Sequence, residues 1–366
     1  MLQVSGIRRA CIVVAAIGVS TVAGGQAPPP TTPEKSDVKI RLERGACFGS
    51  CPAYVVEITK DGSVTYEGLS SVAIGGRFHS QASSSDVDIL VEAFRQADFF
   101  SLRDEYMASV TDNPFYIITL TLDGRTKKVV DYVGREAGMP DAVTFLEKEI
   151  DRVAQTSKYV TGTPETIQIL RDTGFDFTSD KAGSLLANAL AIDSYDYAVD
   201  LIKAGVPLDG RTTGQGFPTS ALLSPVAFSA QVEGEKVARA FCEAALTRGT
   251  RQDRSLALII AATLDDIDLA RKLIVLGVDP IVEDLQMGPY TALHMASSEA
   301  MARLLLDAGI NPDFSGPMMP VFWARSEGVA LVLYDAGREP SPDVRRKLID
   351  HARGQGWTRL LAKLGG

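Results

Sequence analysis

Histidine and cysteine, the residue types that most often bind zinc, are scarce in this chain of 366 residues. It has three histidines and four cysteines. His79, His294 and His351 lie far apart in the sequence, and none has metal-ligand spacing from a cysteine pair. A structural zinc site needs four converging His, Cys or carboxylate ligands. We therefore expect no metal centre and no cofactor.

Signatures of common enzymes are also missing. The sequence has no Gly-x-Ser-x-Gly nucleophile elbow, no P-loop, no dinucleotide-binding glycine pattern and no His-Glu-x-x-His zinc helix. Neighbouring acids, such as Asp265 with Asp266 and Glu147 with Glu149, are most simply explained as solvated helix faces. We therefore predict a protein that is not an enzyme.

Basic residues are fewer than acidic residues: the chain has 37 Lys and Arg, 46 Asp and Glu, and a net charge of −9. Binding to DNA or RNA depends on cationic side chains that neutralise phosphates. Anionic membrane surfaces attract positive charge in the same way. The composition therefore disfavours nucleic acids and anionic membranes as partners.

A short apolar run near the N-terminus, Ala10–Ala23, is preceded by Arg8 and Arg9 and followed by small residues. This order is typical of a secretory signal peptide, which we place at residues 1–27. A membrane anchor is the alternative, but it needs roughly 20 apolar residues. Cys11 has no lipidation box before it. We expect export, to a bacterial periplasm, without stable membrane insertion after cleavage, and a disordered Pro- and Thr-rich linker at residues 28–37.

Residues 38–155 show the alternation of strands interrupted by two helical segments. Asp-Gly turns at residues 61–62 and 123–124 predict two hairpins. The segments Ser85–Phe94 and Pro140–Ala154 predict amphipathic helices. This order predicts an α+β domain, an antiparallel sheet with two helices on one face.

Cys47 and Cys51 stand just before the first predicted hairpin, with Gly49 allowing a tight turn between them. In an exported chain such a pair is most simply a structural disulfide. A redox-active pair is an alternative, although the spacing is not Cys-x-x-Cys. A zinc site would need further ligands.

The motif Cys47-Phe-Gly-Ser-Cys51-Pro52, with Tyr54, Tyr66-Glu-Gly68 and Thr111-Asp-Asn-Pro114, resembles a bacterial family called domain of unknown function 6438. The resemblance runs from about Lys39 to Asp151. Because that family has no established activity, it implies a fold and no catalytic residue.

Glycines that follow apolar helical segments recur through residues 160–366. Gly174 and Gly205, like Gly277 and Gly309, are separated by close to the period of about 33 residues that ankyrin repeats have. The segment Tyr290-Thr-Ala-Leu-His-Met-Ala296 resembles the Thr-Pro-Leu-His motif of that family. The resemblance implies an all-α ankyrin-like solenoid of about six degenerate repeats with a C-terminal cap, and a structural role for His294.

Ankyrin-like arrays commonly bind proteins, and we predict the contacts in the loops between repeats. Methionine and aromatic side chains there suit adaptable contacts. They could equally cover adjacent repeats. The predicted partner-binding residues are Leu285, Gln286, Met287, Phe314, Met318 and Met319.

The leading hypothesis is an exported, non-enzymatic protein–protein interaction module with an unidentified protein partner. An alternative makes the N-terminal domain an enzyme or a small-molecule-binding domain with the repeats as scaffold, and it predicts a pocket near Cys47–Tyr54 onto which Tyr66 or Asp112 converges. A third is a self-associating structural component of the envelope. Residues 156–163 are either a hinge or part of a rigid first repeat.

Overall fold

The computed structural model describes residues 37–213, 216–223, 232–279, 282–284, 288–313 and 319–365. The predicted signal peptide and all of the predicted linker except Asp37 lie outside these ranges. Within them, no helix combines the length and the apolar character needed to span a membrane.

Seven strands form one sheet in the first part of the described chain, in the order β4-β3-β2-β1-β6-β7-β5. Each neighbouring pair is antiparallel except β5, which runs parallel to β7. The predicted antiparallel sheet is therefore mixed at one edge. The strands are β1 (Val38–Arg44), β2 (Ala53–Thr59), β3 (Ser63–Ser70), β4 (Gly76–Gln81), β5 (Glu105–Met107), β6 (Tyr116–Leu122) and β7 (Arg125–Tyr132).

Two helices lie beside this sheet, α1 (Ser84–Gln96) and α2 (Asp141–Ala154). The hydroxyl of Ser83 caps α1 by accepting a hydrogen bond from the backbone of Asp86. α2 packs on β1 and β2, and α1 packs beside α2. Their buried apolar residues recur at helical spacing, which explains why the sequence pattern revealed both helices. The α+β prediction is confirmed.

The rest of the described chain forms successive pairs of short helices, as predicted for an ankyrin-like solenoid. In each pair a first helix or 3-10 turn is followed in the chain by a second helix. In the six pairs other than that of α7, the two elements pack against each other. The pairs are α3 (Ser157–Val160) with α4 (Pro164–Asp172), α5 (Asp180–Ala191) with α6 (Tyr195–Ala204), α7 (Thr219–Leu222) with Val232–Arg248, Arg251–Leu264 with Ile267–Leu276, Ala292–Met295 with Glu299–Asp307, Pro320–Trp323 with Glu327–Ala336, and Pro342–Gln355 with Thr358–Leu364.

A short hairpin joins two of these pairs. β8 (Val282–Asp284) is antiparallel to β9 (Gly288–Tyr290). An isolated bridge between Arg211 and Pro218 holds an equivalent position before α7. Two of the inter-repeat segments therefore contain antiparallel backbone pairing, at the place in the repeat where the sequence predicts partner contacts.

The junction between the sheet and the repeats is packed rather than hinged. Tyr159 of α3 is 2% exposed, and its ring stacks on Tyr66 at 4.5 Å and on Phe78 at 5.2 Å between centroids. The backbone amides of Ala73 and Ile74, from the β3–β4 connection, donate to the carbonyls of Val160 (2.9 Å) and Tyr159 (3.1 Å). Of the two alternatives for residues 156–163, these contacts favour a first repeat packed on the sheet.

Gly162 allows the chain to leave this junction. Its φ of +79° is in the left-handed region, and a Cβ there would lie 2.4 Å from the ring of Tyr197 in α6. The second repeat therefore packs directly against the turn that ends α3.

We predict that Tyr159→Ala uncouples the two parts of the protein. Loss of a fully buried aromatic ring costs about 3–5 kcal/mol of folding free energy. Calorimetry should therefore show a lower melting temperature and two resolved transitions in place of one.

The matched control is Phe48→Ala, because that aromatic side chain is 90% exposed. It should leave the transition unchanged. A single, unshifted transition in Tyr159→Ala would contradict the packed junction.

Candidate functional site

Cys47 and Cys51 form a disulfide at the end of β1. The loop that they close is also held by backbone hydrogen bonds, from Gly45 to the carbonyl of Phe115 (2.9 Å) and from Phe48 to that of Asp112 (3.3 Å). Gly45 has no room for a side chain, since a Cβ would lie 2.0 Å from the ring of Phe115. The loop therefore presents Phe48, which is 90% exposed, on a fixed support.

The residues predicted to converge near this loop do not meet. Tyr66 is 1% exposed and belongs to the aromatic stack at the junction. Asp112 is an exposed turn residue with a φ of +67°, and its carboxylate accepts a hydrogen bond from the hydroxyl of Thr111. A cavity of about 230 Å³ lies beside Gly49 and Ser50, but neither Tyr66 nor Asp112 lines it.

A polar cluster at the edge of the helix-covered face ties α2 to the sheet. Arg44 pairs in register with Tyr54 on one side and Tyr116 on the other, so the three side chains emerge on the same face. The guanidinium donates to Tyr54 Oη at 3.2 Å and to Tyr116 Oη at 2.9 Å. Tyr54 Oη and Thr156 Oγ1 both donate to Asp151 Oδ1, at 2.6 and 2.8 Å.

Burial changes the pKa of two groups in this cluster. It raises the pKa of Asp151, although the hydrogen bonds from Tyr54 and Thr156 and the charge of Arg44 oppose that shift. Burial, reinforced by Asp151, also raises the pKa of Tyr54, so the phenol stays a hydrogen-bond donor. The cluster joins β1, β2, β6, the end of α2 and the start of the first repeat.

Two buried carboxyl groups, Asp131 and Glu147, lie beside this cluster. Asp131 is 8% exposed, and its Oδ1 accepts a hydrogen bond from the backbone of Gly134 at 2.6 Å. Glu147 is 6% exposed, and its Oε1 has no hydrogen-bond partner in the described part of the chain. Burial, reinforced by Asp131, raises the pKa of Glu147 to about 8. At neutral pH this side chain is mostly protonated.

The expectation that Glu147 belongs to a solvated helix face is wrong. It lies next to Leu146 and one turn before Ile150, on the buried face of α2. The helical spacing of the sequence indicates that Glu147 is on the buried face. In the same way, strand alternation places Arg44 on the face of the inward residues Val38, Ile40 and Leu42. Asp265 is exposed and Asp266 is partly exposed. Asp265 accepts a hydrogen bond from Ser298 Oγ, and Asp266 accepts one from the backbone of Leu269.

His294 has the structural role that the ankyrin resemblance implied. The backbone of Thr291 donates to His294 Nδ1 at 3.0 Å, and Thr291 Oγ1 lies 3.2 Å from the same nitrogen. Both residues are buried. This reciprocal arrangement caps the turn Ala292–Met295, so the imidazole stabilises the local structure.

Most of the predicted partner-binding residues lie outside the described residues, namely Leu285, Gln286, Met287, Phe314 and Met318. The first three connect β8 to β9. Met319 is described, is half-buried and packs against the core beside the turn Pro320–Trp323. Their role in binding stays a prediction.

No group of three or more His, Cys, Asp or Glu side chains in the described ranges is arranged to hold a metal ion. The described free thiol, Cys242, is buried, and burial raises its pKa to about 12. That thiol is therefore unsuited to act as a nucleophile at neutral pH.

Comparison with known families agrees with both resemblances drawn from the sequence. Residues 38–154 match the family model of a domain of unknown function, DUF6438, and residues 290–316 match that of the ankyrin repeat. The chain therefore combines a segment similar to a domain of unknown function with a segment similar to the ankyrin repeat.

Among solved structures, the ankyrin repeat domain of human ASB11 aligns with 18% identity over 49% of this chain and 95% of its own length, with a TM-score of 0.22. No curated protein matches the chain.

We predict that Glu147→Gln removes a pH dependence of stability. Because the pKa of Glu147 is raised from its ordinary value of 4.5 to about 8 in the folded protein, the folded state holds the proton more tightly. The stabilisation is complete below about pH 4.5 and is lost as the pH rises through about 8, on the order of 1 kcal/mol per pH unit.

The measurement is urea unfolding at several pH values between about 5 and 8. The unfolding free energy of the wild type should fall relative to that of Glu147→Gln as the pH rises. Glu136→Gln, at an exposed position, should follow the wild type. Parallel pH profiles for wild type and Glu147→Gln would refute the assignment.

Proposed function

We propose that this protein is exported and serves as a protein-interaction module without enzymatic activity. The ankyrin-repeat match at residues 290–316 supports this proposal, as does the succession of helix pairs on either side of it. Repeat arrays of this kind present extended surfaces to partners. The N-terminal domain is proposed to form the first, capping layer of the array.

The observation that carries the proposal is the junction at Tyr159. Because the first repeat is stacked and hydrogen-bonded onto the sheet, the proposed binding surface is held on a fixed support before a partner arrives. Preorganisation of this kind lowers the entropic cost of association. A hinged linker would lack that advantage.

A groove along the first helices of the repeats is well suited to a polar partner segment. Its cavity of about 470 Å³ lies where the starts of α5, α7 and the helix Arg251–Leu264 approach one another. Both signs of charge line it, with Asp180 and Asp209 against Arg211. Strands β8 and β9 lie in the corresponding inter-repeat segment of the sequence two repeats later. The predicted contact residues 285–287 fall between these strands in the chain.

We predict that simultaneous replacement of Gln286, Met287 and Met318 by Ala abolishes capture of the partner. The full-length mature chain would be used as bait in an envelope extract, with captured proteins identified by mass spectrometry. Since the sequence predicts these positions in loops between repeats, the melting temperature should change little.

Met107→Ala is the matched control, because Met107 is exposed on β5 of the other domain. It should leave capture intact. Retention of the same partner by the triple variant would rule out these loops as the binding site.

Export is tested by the N-terminus of the native protein. We expect mass spectrometry of the protein from a periplasmic fraction to show a chain that begins near residue 28, because the small residues before it suit signal cleavage. An uncleaved N-terminus on soluble cytoplasmic protein would overturn this part of the proposal.

A further inference from the structure

A cleft separates the disulfide loop from the repeats, with a volume of about 230 Å³. Among the described residues, its polar lining is made of hydroxyl and carboxamide groups, and no ionisable side chain contributes to it. The N-terminal domain and the repeats each supply half of this polar lining. The polar residues are Ser50, Ser70, Ser71, Asn188, Thr212 and Thr213.

Each wall of the cleft is held by its own interactions. The disulfide between Cys47 and Cys51 fixes the wall that carries Ser50. The second wall, the β3–β4 connection with Ser71, is held by hydrogen bonds from Ala73 and Ile74 to α3.

The third wall belongs to the repeats. Asn188 Oδ1 accepts a hydrogen bond from the backbone of Thr213 at 2.9 Å, and its Nδ2 donates to Thr213 Oγ1 at 3.1 Å. Thr212 Oγ1 accepts a hydrogen bond from the backbone of Phe217 at 2.9 Å. The cleft is therefore preorganised in the free protein.

The hydrogen-bonding groups that the cleft offers are neutral. They include the hydroxyls of Ser50, Ser70 and Ser71 on the side of the N-terminal domain. Each hydroxyl is one donor and two acceptors. A charged ligand would lose hydration here without meeting an opposite charge, which is unfavourable. The lining therefore favours an uncharged ligand rich in donors and acceptors.

Ala191 and Ile192, at the end of α5, add a small apolar wall beside these hydroxyls. A sugar ring combines the two matching features, hydroxyls around its edge and C–H groups on its face. The volume is below the roughly 300–1,000 Å³ of sites for drug-sized ligands, so it suits one compact unit. We propose that this interdomain cleft binds a neutral saccharide unit, either free or as part of a longer glycan.

The test is a titration of the full mature chain followed by backbone amide NMR. The probes are D-glucose, D-galactose and N-acetyl-D-glucosamine at millimolar concentrations, with D-glucuronate as the charged counterpart and tetra-alanine as a neutral peptide. At least one neutral sugar should shift amides on all three walls. D-Glucuronate should bind about tenfold more weakly or not at all.

Two variants test whether sugar binding occurs in the cleft. Ser50→Leu places an apolar side chain in the cleft and should reduce the affinity at least tenfold. Ser84→Leu, at an exposed position on α1, should bind as the wild type does, and circular dichroism checks that both variants fold.

The proposal is wrong if no neutral sugar shifts the wall residues, if Ser50→Leu binds as well as Ser84→Leu does, or if tetra-alanine or D-glucuronate binds in preference. None of these outcomes bears on partner capture by the repeats, which is measured separately.

Discussion

The insertion of Tyr159 between the sheet and the repeats is the interaction on which the rest of the structure depends. The ring lies against Tyr66 and Phe78, and the backbone around it accepts hydrogen bonds from Ala73 and Ile74. A repeat array needs a terminal layer that covers its first apolar face. Here the α+β domain supplies that layer, so the two parts of the chain share one continuous core.

The same contacts place polar groups where water is largely excluded. Asp151 links Tyr54 to Thr156 at the start of the first repeat, and Glu147 is buried near Asp131. A buried ionisable group adds little net stability, because desolvation offsets its interactions. The raised pKa of Glu147 instead makes the stability of the fold depend on pH. The cleft beside the disulfide loop is a further product of this fixed arrangement.

Local patterns in the sequence predicted the elements well and their tertiary relations less well. Asp-Gly turns, strand alternation and helical spacing revealed the hairpins, α1 and α2, and the repeat period revealed the helix pairs. β5 has three residues and pairs in parallel with a strand distant in sequence, so it leaves no local periodic signal. The stacking of Tyr159 on Tyr66 is likewise a contact between distant segments. The inward positions of Glu147 and Arg44 could have been predicted from the sequence, because each has the same periodicity as the buried apolar residues of its element.

Hydrogen exchange at the amides of Ala73 and Ile74 tests the central claim most directly, because these two amides bond across the junction. If the domain and the repeats form one body, both amides should be protected as strongly as amides in the middle of β2 and β3, and should open only with global unfolding. Exchange at the rate of a solvent-exposed loop, while β2 and β3 stay protected, would contradict the account and indicate two independent domains joined by a hinge.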